Sequence, residues 1–169
     1  QDTGANSTTF TGNVATTGAI LITDGYDITF SGTVNAASIT QTNGANSTTF
    51  AWDVTTNGAA GIDITATNIA LDGLTMEAGT DPTAAIALTG AVTLSTADVE
   101  LVAQDTITVD GTMTISGGNV DLEAGNTILV DGTVNSPDTQ ALTATSTNDA
   151  NIVFTSLIGG TTPLASLGI

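Results

Sequence analysis

A seven-residue phrase that occurs twice constrains this chain more than any other feature of its sequence. Residues 4–10 read GANSTTF, and residues 44–50 repeat the same letters forty positions later. A weaker pattern halves that interval: an apolar residue, a small or acidic residue, usually Gly, any residue, and then usually an apolar residue. Its eight copies begin at Phe10, Phe30, Phe50, Leu71, Leu88, Val109, Val130 and Phe154, in steps of 20, 20, 21, 17, 21, 21 and 24 residues. Such repeats indicate one small structural unit stacked on copies of itself.

The best-preserved pair of copies shows what each unit contains. When residues 88–109 are shifted by 21, their apolar positions fall on apolar positions of the next copy. The coinciding pairs are Val92 and Met113, Leu94 and Ile115, Val99 and Val120, Leu101 and Leu122, Ala103 and Ala124, Ile107 and Ile128, and Val109 and Val130. Within a copy, apolar and polar residues alternate in three short bursts that Gly, Asn, Asp and Ser separate, which is typical of half-buried strands.

Short strands that keep their register from copy to copy predict an all-β fold, a parallel β-helix or β-solenoid. We expect about eight coils of roughly 20–21 residues with three strands each, stacked about 4.8 Å apart. Residues 1–169 would form one solenoid domain or a segment of a longer solenoid. The predicted inward ladders are Phe10, Phe30 and Phe50 at one end, and Leu71, Leu88, Val109 and Val130 further along.

The irregular positions of the repeat carry their own predictions. The 17-residue step predicts a shortened coil around residues 80–82, and the 24-residue step predicts an inserted loop around residues 136–138. The repeated Gly predicts a tight corner that excludes a Cβ atom or needs a positive φ. Trp52 takes that Gly position once, so we expect its ring to point outward or to cover a bulge.

The ionisable residues exclude many kinds of chemistry. The chain has no Lys, Arg, His or Cys, and its 17 acidic residues give a net charge of −17. Zinc, haem and iron–sulfur sites, thiol chemistry and triads that need His are therefore excluded. Nucleic acid and anionic membrane surfaces would be repelled, and no apolar run is long enough for a membrane-spanning helix, so neither partner is expected. An apolar fraction of 40% argues against disorder.

The carboxylates are the remaining candidates for a site. Asp110 and Asp131 share a ladder one coil apart, and Glu100 stacks likewise on Asp121. Calcium is the candidate ligand, because a divalent cation would offset the repulsion between stacked like charges. Catalysis is not expected: a glycosidase could use two such carboxyls, but it also needs a cleft lined with aromatic rings. The alternative is a solvated acidic face that salt screens, with no cofactor at all.

Two other sequence patterns suggest surface functions. Asn6 and Asn46 begin N-glycosylation sequons at matching places of the repeat, where copying of a polar corner would also explain them. Regular Thr arrays on a flat face are typical of ice-binding solenoids. The Thr-x-Thr pairs of this chain do not recur at one phase in every coil, and Thr suits strands generally.

Three segments resemble a known class of proteins. Residues 118–126 (GNVDLEAGN), 128–134 (ILVDGTV) and 158–167 (IGGTTPLASL) are similar to coils of filamentous-haemagglutinin-type adhesins, which are very large secreted bacterial repeat proteins. The resemblance implies a right-handed parallel β-helix, export across a bacterial envelope and a role in adhesion or biofilm matrix. The N-terminal secretion domain and the basic residues of such proteins are missing here, which suggests an excerpt of a longer chain or a processed filament subunit.

These observations together predict a non-catalytic, structural or adhesive segment of a secreted or cell-surface fibre. Its expected partners are other copies of itself or flanking solenoid coils, and host or surface glycans. One alternative is an extracellular filament subunit that stacks head-to-tail; another is an ice- or carbohydrate-binding solenoid. An extracellular location fits the lack of Lys and Arg, because trypsin-like proteases would find no cleavage site.

Overall fold

The chain winds into a solenoid of about seven turns, in which the strands pair in parallel with their counterparts one turn away. The computed structural model describes residues 6–148, 151–159 and 163–169, and the elements it contains are strands, numbered β1 to β20 in chain order. Within those ranges no helix is long and apolar enough to cross a membrane. The predicted parallel β-solenoid is confirmed.

Each turn places strands on three faces, and the first of these, face I, is an eight-stranded parallel sheet. Its strands are β2 (Val14–Ala15), β5 (Val34–Ala36), β8 (Val54–Thr56), β10 (Thr75–Ala78), β12 (Val99–Ala103), β15 (Val120–Ala124), β18 (Ala141–Ser146) and β20 (Ser166–Gly168). With a spacing of about 4.8 Å between strands, eight strands span roughly 34 Å along the solenoid axis.

The other two faces belong to one twelve-stranded sheet that bends at a corner. Face II holds β3 (Ala19–Ile22), β6 (Ser38–Gln41), β13 (Ile107–Asp110), β16 (Ile128–Asp131) and β19 (Ile152–Phe154). Face III holds β1 (Thr8–Phe10), β4 (Gly25–Phe30), β7 (Gly44–Phe50), β14 (Met113–Ile115) and β17 (Val134–Asn135). The long strands β9 (Ile62–Asp72) and β11 (Ile86–Ser95) run through the corner and serve both faces.

An isoleucine ladder runs the whole length of face II. Each member is the register partner of the next: Ile20, Ile39, Ile62, Ile86, Ile107, Ile128 and Ile152. The five inner members are at most 1% exposed, whereas Ile20 and Ile152 in the end coils are only partly buried. Burial of each apolar side chain thus depends on having a coil on both sides.

The predicted phenylalanine ladder is confirmed, but its continuation differs from the prediction. Phe10, Phe30 and Phe50 stack with ring centroids 4.7 and 5.0 Å apart and nearly parallel planes. Phe50 then pairs with Leu71, and Leu71 pairs with Leu94 rather than with Leu88. Leu88 belongs instead to a face II row that also contains Ile64, Val109, Val130 and Phe154.

The shortened coil predicted from the 17-residue step is therefore wrong. The offset between Ile64 and its partner Leu88 is 24 residues, so this coil is long. The extra residues form the turn 79–85 between β10 and β11, where only residues 104–106 separate β12 from β13. The error arose because the repeat signature marks two different corners. The first four copies lie between faces III and I, and the last four lie between faces II and III.

The loop predicted around residues 136–138 is confirmed only in part. Val130 and Phe154 pair across an offset of 24 residues, three more than in the preceding coil. One extra residue falls between β17 and β18, where residues 136–138 lie, and the other two fall between β18 and β19.

The corner glycine of the C-terminal coils has the predicted conformation. Gly111 has a φ of 140°, and a Cβ atom there would lie 2.2 Å from the carbonyl oxygen of Gly90 in the neighbouring coil. Any other residue would force the two coils apart. Trp52, at the corresponding position of the other corner, is 59% exposed, so its predicted outward orientation is confirmed.

Candidate functional site

Asp110 and Asp131 are neighbours at the corner between faces II and III, as predicted. Each is the last residue of its strand, the two are register partners one coil apart, and both are exposed. Thr89 precedes them in the same row, and the Thr155 hydroxyl donates a hydrogen bond to Asp131 Oδ1 at 2.5 Å. A hydroxyl residue therefore bounds this like-charge pair on either side, which limits the repulsion to two groups.

Glu100 and Asp121 form the second predicted pair, on the outer surface of face I. They are register partners, with Glu100 half-buried and Asp121 exposed. The Thr75 hydroxyl donates to Glu100 Oε2 at 3.2 Å, and Thr143 is the partner of Asp121 on the other side. This row repeats the arrangement of two carboxylates between two hydroxyl residues. The two pairs lie on different faces, so the four predicted carboxylates do not form one site.

A groove of about 370 Å³ runs beside the second pair. Its polar lining includes Asp98, Glu100, Asn119 and Asp121, and its floor is apolar. Asp98 is already engaged, because its Oδ1 accepts a hydrogen bond from the backbone N–H of Asn119 at 2.8 Å. The groove therefore offers two carboxylates, an amide and hydroxyls to a ligand along roughly three coils.

Metal coordination needs several converging oxygen ligands. Across the ranges that the structure describes, no three acidic side chains come close enough together to hold a metal ion. Each predicted pair could supply at most two carboxylates, and water would have to complete the coordination sphere. Calcium binding by Asp110, Asp131, Glu100 and Asp121 stays a prediction.

The corner between faces III and I contains a relay that the sequence analysis missed. In four coils a side-chain oxygen of Asn or Asp accepts a hydrogen bond from a backbone N–H of the next coil. The donor–acceptor pairs are Thr33 to Asn13, Thr75 to Asp53, Asn119 to Asp98, and Ala141 to Asn119, at 2.8 to 3.1 Å. Each acceptor directly precedes a Val that begins a face I strand, a signature that was visible in the sequence.

Other carboxylates are also held by polar groups of a neighbouring coil. Asp72 Oδ1 accepts from the hydroxyls of Ser95 and Thr96, at 3.0 and 2.7 Å, and Asp105 Oδ1 accepts from the Asn126 amide at 2.7 Å. These bonds satisfy the carboxylates without any cation. The acidic residues thus help to join successive coils, which explains how a chain without Lys or Arg keeps so many of them.

The two sequon asparagines lie in different surroundings. Asn6 is exposed, whereas Asn46 is half-buried and its Nδ2 donates to Asp27 Oδ1 at 2.7 Å. Because Nδ2 is the atom that would carry a glycan, modification of Asn46 would break this inter-coil bond. Glycosylation stays a prediction for both residues, and Asn6 is the more accessible of the two.

Threonines form one regular outward row on face III. The row consists of Thr9, Thr29, Thr49, Ala70, Thr93, Thr114 and Asn135. Ala70 interrupts it, so a single file of five hydroxyls covers six coils. The comparison of Thr-x-Thr pairs did not detect this row because the pairs straddle different faces.

Comparison with known proteins gives no relative for this chain: no family model matches it, and no curated protein or solved structure is significantly similar to it. The resemblance of its C-terminal coils to filamentous-haemagglutinin-type adhesins stays a prediction that these comparisons do not test.

Proposed function

We propose that this chain is a structural, non-catalytic segment of a secreted or cell-surface fibre, in which the solenoid acts as a stiff spacer. The observation that carries the proposal is the continuity of the interior. From Ile28 to Ala144 the inward rows of all three faces are filled by buried side chains that stack from coil to coil. Close stacking of this kind favours a rod that resists bending and proteolysis.

The polar surface supports the same proposal. The carboxylates that form hydrogen bonds do so largely with hydroxyls, amides or backbone N–H groups of the adjacent coil. Such groups reinforce the stacking instead of converging on a substrate. The exposed face I groove offers a place where glycans could bind, which is the form that an adhesive role would take.

The location can be tested with antibodies raised against the purified 169-residue chain. Immunogold labelling of the source cells should decorate thin fibres at the surface or in the surrounding matrix. Pre-immune serum is the control, and labelling confined to the cell interior would contradict the proposal.

The mechanical part of the proposal has a separate test. Small-angle scattering should show an elongated particle, and a broad-specificity protease should leave the region from β4 to β18 intact while it digests a destabilised variant such as Leu101→Asp. Rapid cleavage within the inner coils of the unmodified chain would contradict the role of a stiff spacer.

Ice binding is a second candidate, favoured only by the outward threonine row on face III. The test is thermal hysteresis and ice recrystallisation inhibition by the purified chain. Replacing Thr49 with Tyr, within the row, should abolish either effect, whereas Thr145→Tyr on face I should not. A chain that shows neither effect would remove this candidate.

A further inference from the structure

The two end coils expose apolar side chains that the inner coils bury. Seven partly buried hydrophobic residues pack against the core, and all of them lie in the first or the last described coil: Phe10, Val14, Ile20, Ile152, Phe154, Ile158 and Leu164. Residues in the same rows further inside, such as Ile62 and Val130, are at most 1% exposed. The only difference is a coil on one side instead of two.

The outward row of face II is also apolar at both ends. Its members are Leu21, Thr40, Asp63, Ala87, Thr108, Leu129 and Val153. Leu21 is 60% exposed at one end and Val153 is 39% exposed at the other. Solvent-facing positions of a single coil do not usually carry such residues, and their place at the two ends suggests a common use.

The two ends match each other row by row on face II. If the N-terminal coil of a second copy continued the stack beyond β19, Ile20 would follow Ile152 and extend the isoleucine ladder. Ile22 would follow Phe154, and Leu21 would cover Val153. On face III, Ile158 bridges to Val134 and would be followed by Thr8, in the row that already alternates Thr and apolar residues. The contact would therefore repeat the interface that exists between every pair of coils.

The distribution of charge permits this contact. Residues 3–23 and 150–169 contain no acidic residue, although the whole chain carries a net charge of −17. In the row of Asp131, Thr155 would be followed by Thr23 of the next copy, so about two coil spacings, or roughly 10 Å, would separate facing charges. That distance is close to the screening length at physiological salt, so moderate salt should remove most of the repulsion.

We propose that the end coils form a head-to-tail docking surface for a second copy of this chain. The inference deepens the proposed function, on which it rests, by naming the partner of the fibre segment. The contact is heterologous, because the N-terminal edge of one copy meets the C-terminal edge of another, so it propagates into a filament instead of closing a dimer. The filament would be one solenoid wide and would cover the unpaired strand edges at each junction.

The test uses two single substitutions in the purified chain and a matched control. Leu21→Glu places a charge at the N-terminal edge, and Val153→Glu places one at the C-terminal edge. Thr108→Glu adds the same charge in the same outward row, but in the middle of the solenoid. Light scattering and electron microscopy over a series of concentrations and salt should show filaments for the parent chain and for Thr108→Glu. Each end variant should elongate about tenfold less or not at all.

A mixture of the two end variants gives the decisive result. The intact C-terminal edge of Leu21→Glu can still meet the intact N-terminal edge of Val153→Glu, so the mixture should form a dimer of the 16.7 kDa chain and stop there. Each variant alone should stay monomeric. If an end variant loses its unfolding transition, Leu21→Asn or Val153→Asn replaces it, because those changes remove the apolar contact without adding charge.

Several outcomes would overturn the inference. They are a chain that stays monomeric at high concentration and high salt, a closed dimer that survives both end substitutions, and filaments that the end variants form as well as the control does. None of these outcomes would affect the scattering and proteolysis test of the rod itself, so failure of the docking surface and failure of the proposed function can be told apart.

Discussion

The N-terminal coils and the inner C-terminal coils have the same geometry but different interiors. Up to Thr56 the core includes four buried polar residues, Ser38, Gln41, Thr48 and Thr56, whereas from Ile62 to Val134 the buried core side chains are apolar. The surface shows the opposite trend, because residues 28–52 contain no acidic residue and most acidic residues lie between 53 and 138. Backbone pairing between coils therefore fixes the solenoid, and each region tolerates what its neighbouring coils can satisfy.

The polar interior is only partly satisfied. Gln41 occupies a face II row between Ile22 and Ile64, and its Oε1 accepts a hydrogen bond from the Thr48 hydroxyl at 2.8 Å. Gln41 Nε2 and Thr56 Oγ1 are buried and find no hydrogen-bond partner among the described residues. The N-terminal region should therefore respond to changes in hydrogen bonding, and the C-terminal region to changes in apolar packing and surface charge.

The largest expected effect is in the apolar region. Leu122→Asp would place a charge without a partner at a site that is fully buried between Leu101 and Ala144. We expect the free energy of unfolding to fall by about 4 kcal/mol or more. Urea unfolding followed by circular dichroism measures it. Thr108→Asp, on the outer surface, is the control, and equal midpoints for the two variants would contradict the 21-residue register.

Two substitutions of the same kind should have opposite effects in the polar region. Thr48→Val would leave Gln41 Oε1 without its donor and should lower the free energy of unfolding by about 1–3 kcal/mol. Thr56→Val removes a buried hydroxyl that has no partner in the described coils and should raise it by about 1 kcal/mol. Denaturant unfolding of both variants tests the contrast, and a loss of stability in both would contradict this account of the polar core.

A smaller effect concerns the stacked carboxylates of the acidic region. Asp131→Asn removes the repulsion from Asp110, so the unfolding temperature should rise at low ionic strength and the difference should vanish in high salt. If calcium binds the pair, it should raise the unfolding temperature of the parent chain, reversibly with chelator, but not that of the variant.

The control for that experiment is Asp63→Asn, because Asp63 lies between Thr40 and Ala87 in its row and has no stacked carboxylate there. An equal response to sodium at matched ionic strength would leave screening as the whole effect and remove the calcium site.

The smallest effect lies in the turn that joins the two regions. The hydroxyl and the backbone N–H of Thr83 donate to Asp81 Oδ1, at 2.7 and 3.0 Å, and lower the pKa of this exposed carboxyl below its ordinary value of 3.8. The stability that this turn contributes is therefore present at neutral pH and is lost as the pH falls through the lowered pKa. An NMR titration should show the Asp81 pKa return towards 3.8 in Thr83→Val, and an unchanged titration would contradict the assignment.

The sequence predicted the fold and the rows after Ile86 because those coils are close copies with a constant offset. It did not predict the change from Leu71 to Leu94, because the same apolar-x-Gly-x-apolar signature marks two corners and a change of phase looks like a change of length. Gln41 and Thr48 looked like surface positions, since a polar residue in an alternating strand is normally exposed.

The candidate sites were predicted to a similar extent. Shared offsets placed Asp110 on Asp131 and Glu100 on Asp121, and both pairs were found one coil apart. The relay of Asn and Asp side chains at the other corner was missed, because it depends on which backbone N–H lies above each side chain. Spacing in a sequence gives the row of a residue but not the hydrogen bonds across it.

The direction of the hydrogen bonds between coils has a mechanical consequence. Because parallel pairing joins each coil to the next along the axis, a force that pulls the two ends apart loads these bonds one coil at a time. The solenoid should therefore extend in equal steps, each releasing about 21 residues, or roughly 70 Å of chain. A sideways load is shared by many coils at once, so the molecule would bend little yet yield gradually under tension, as a shock absorber does.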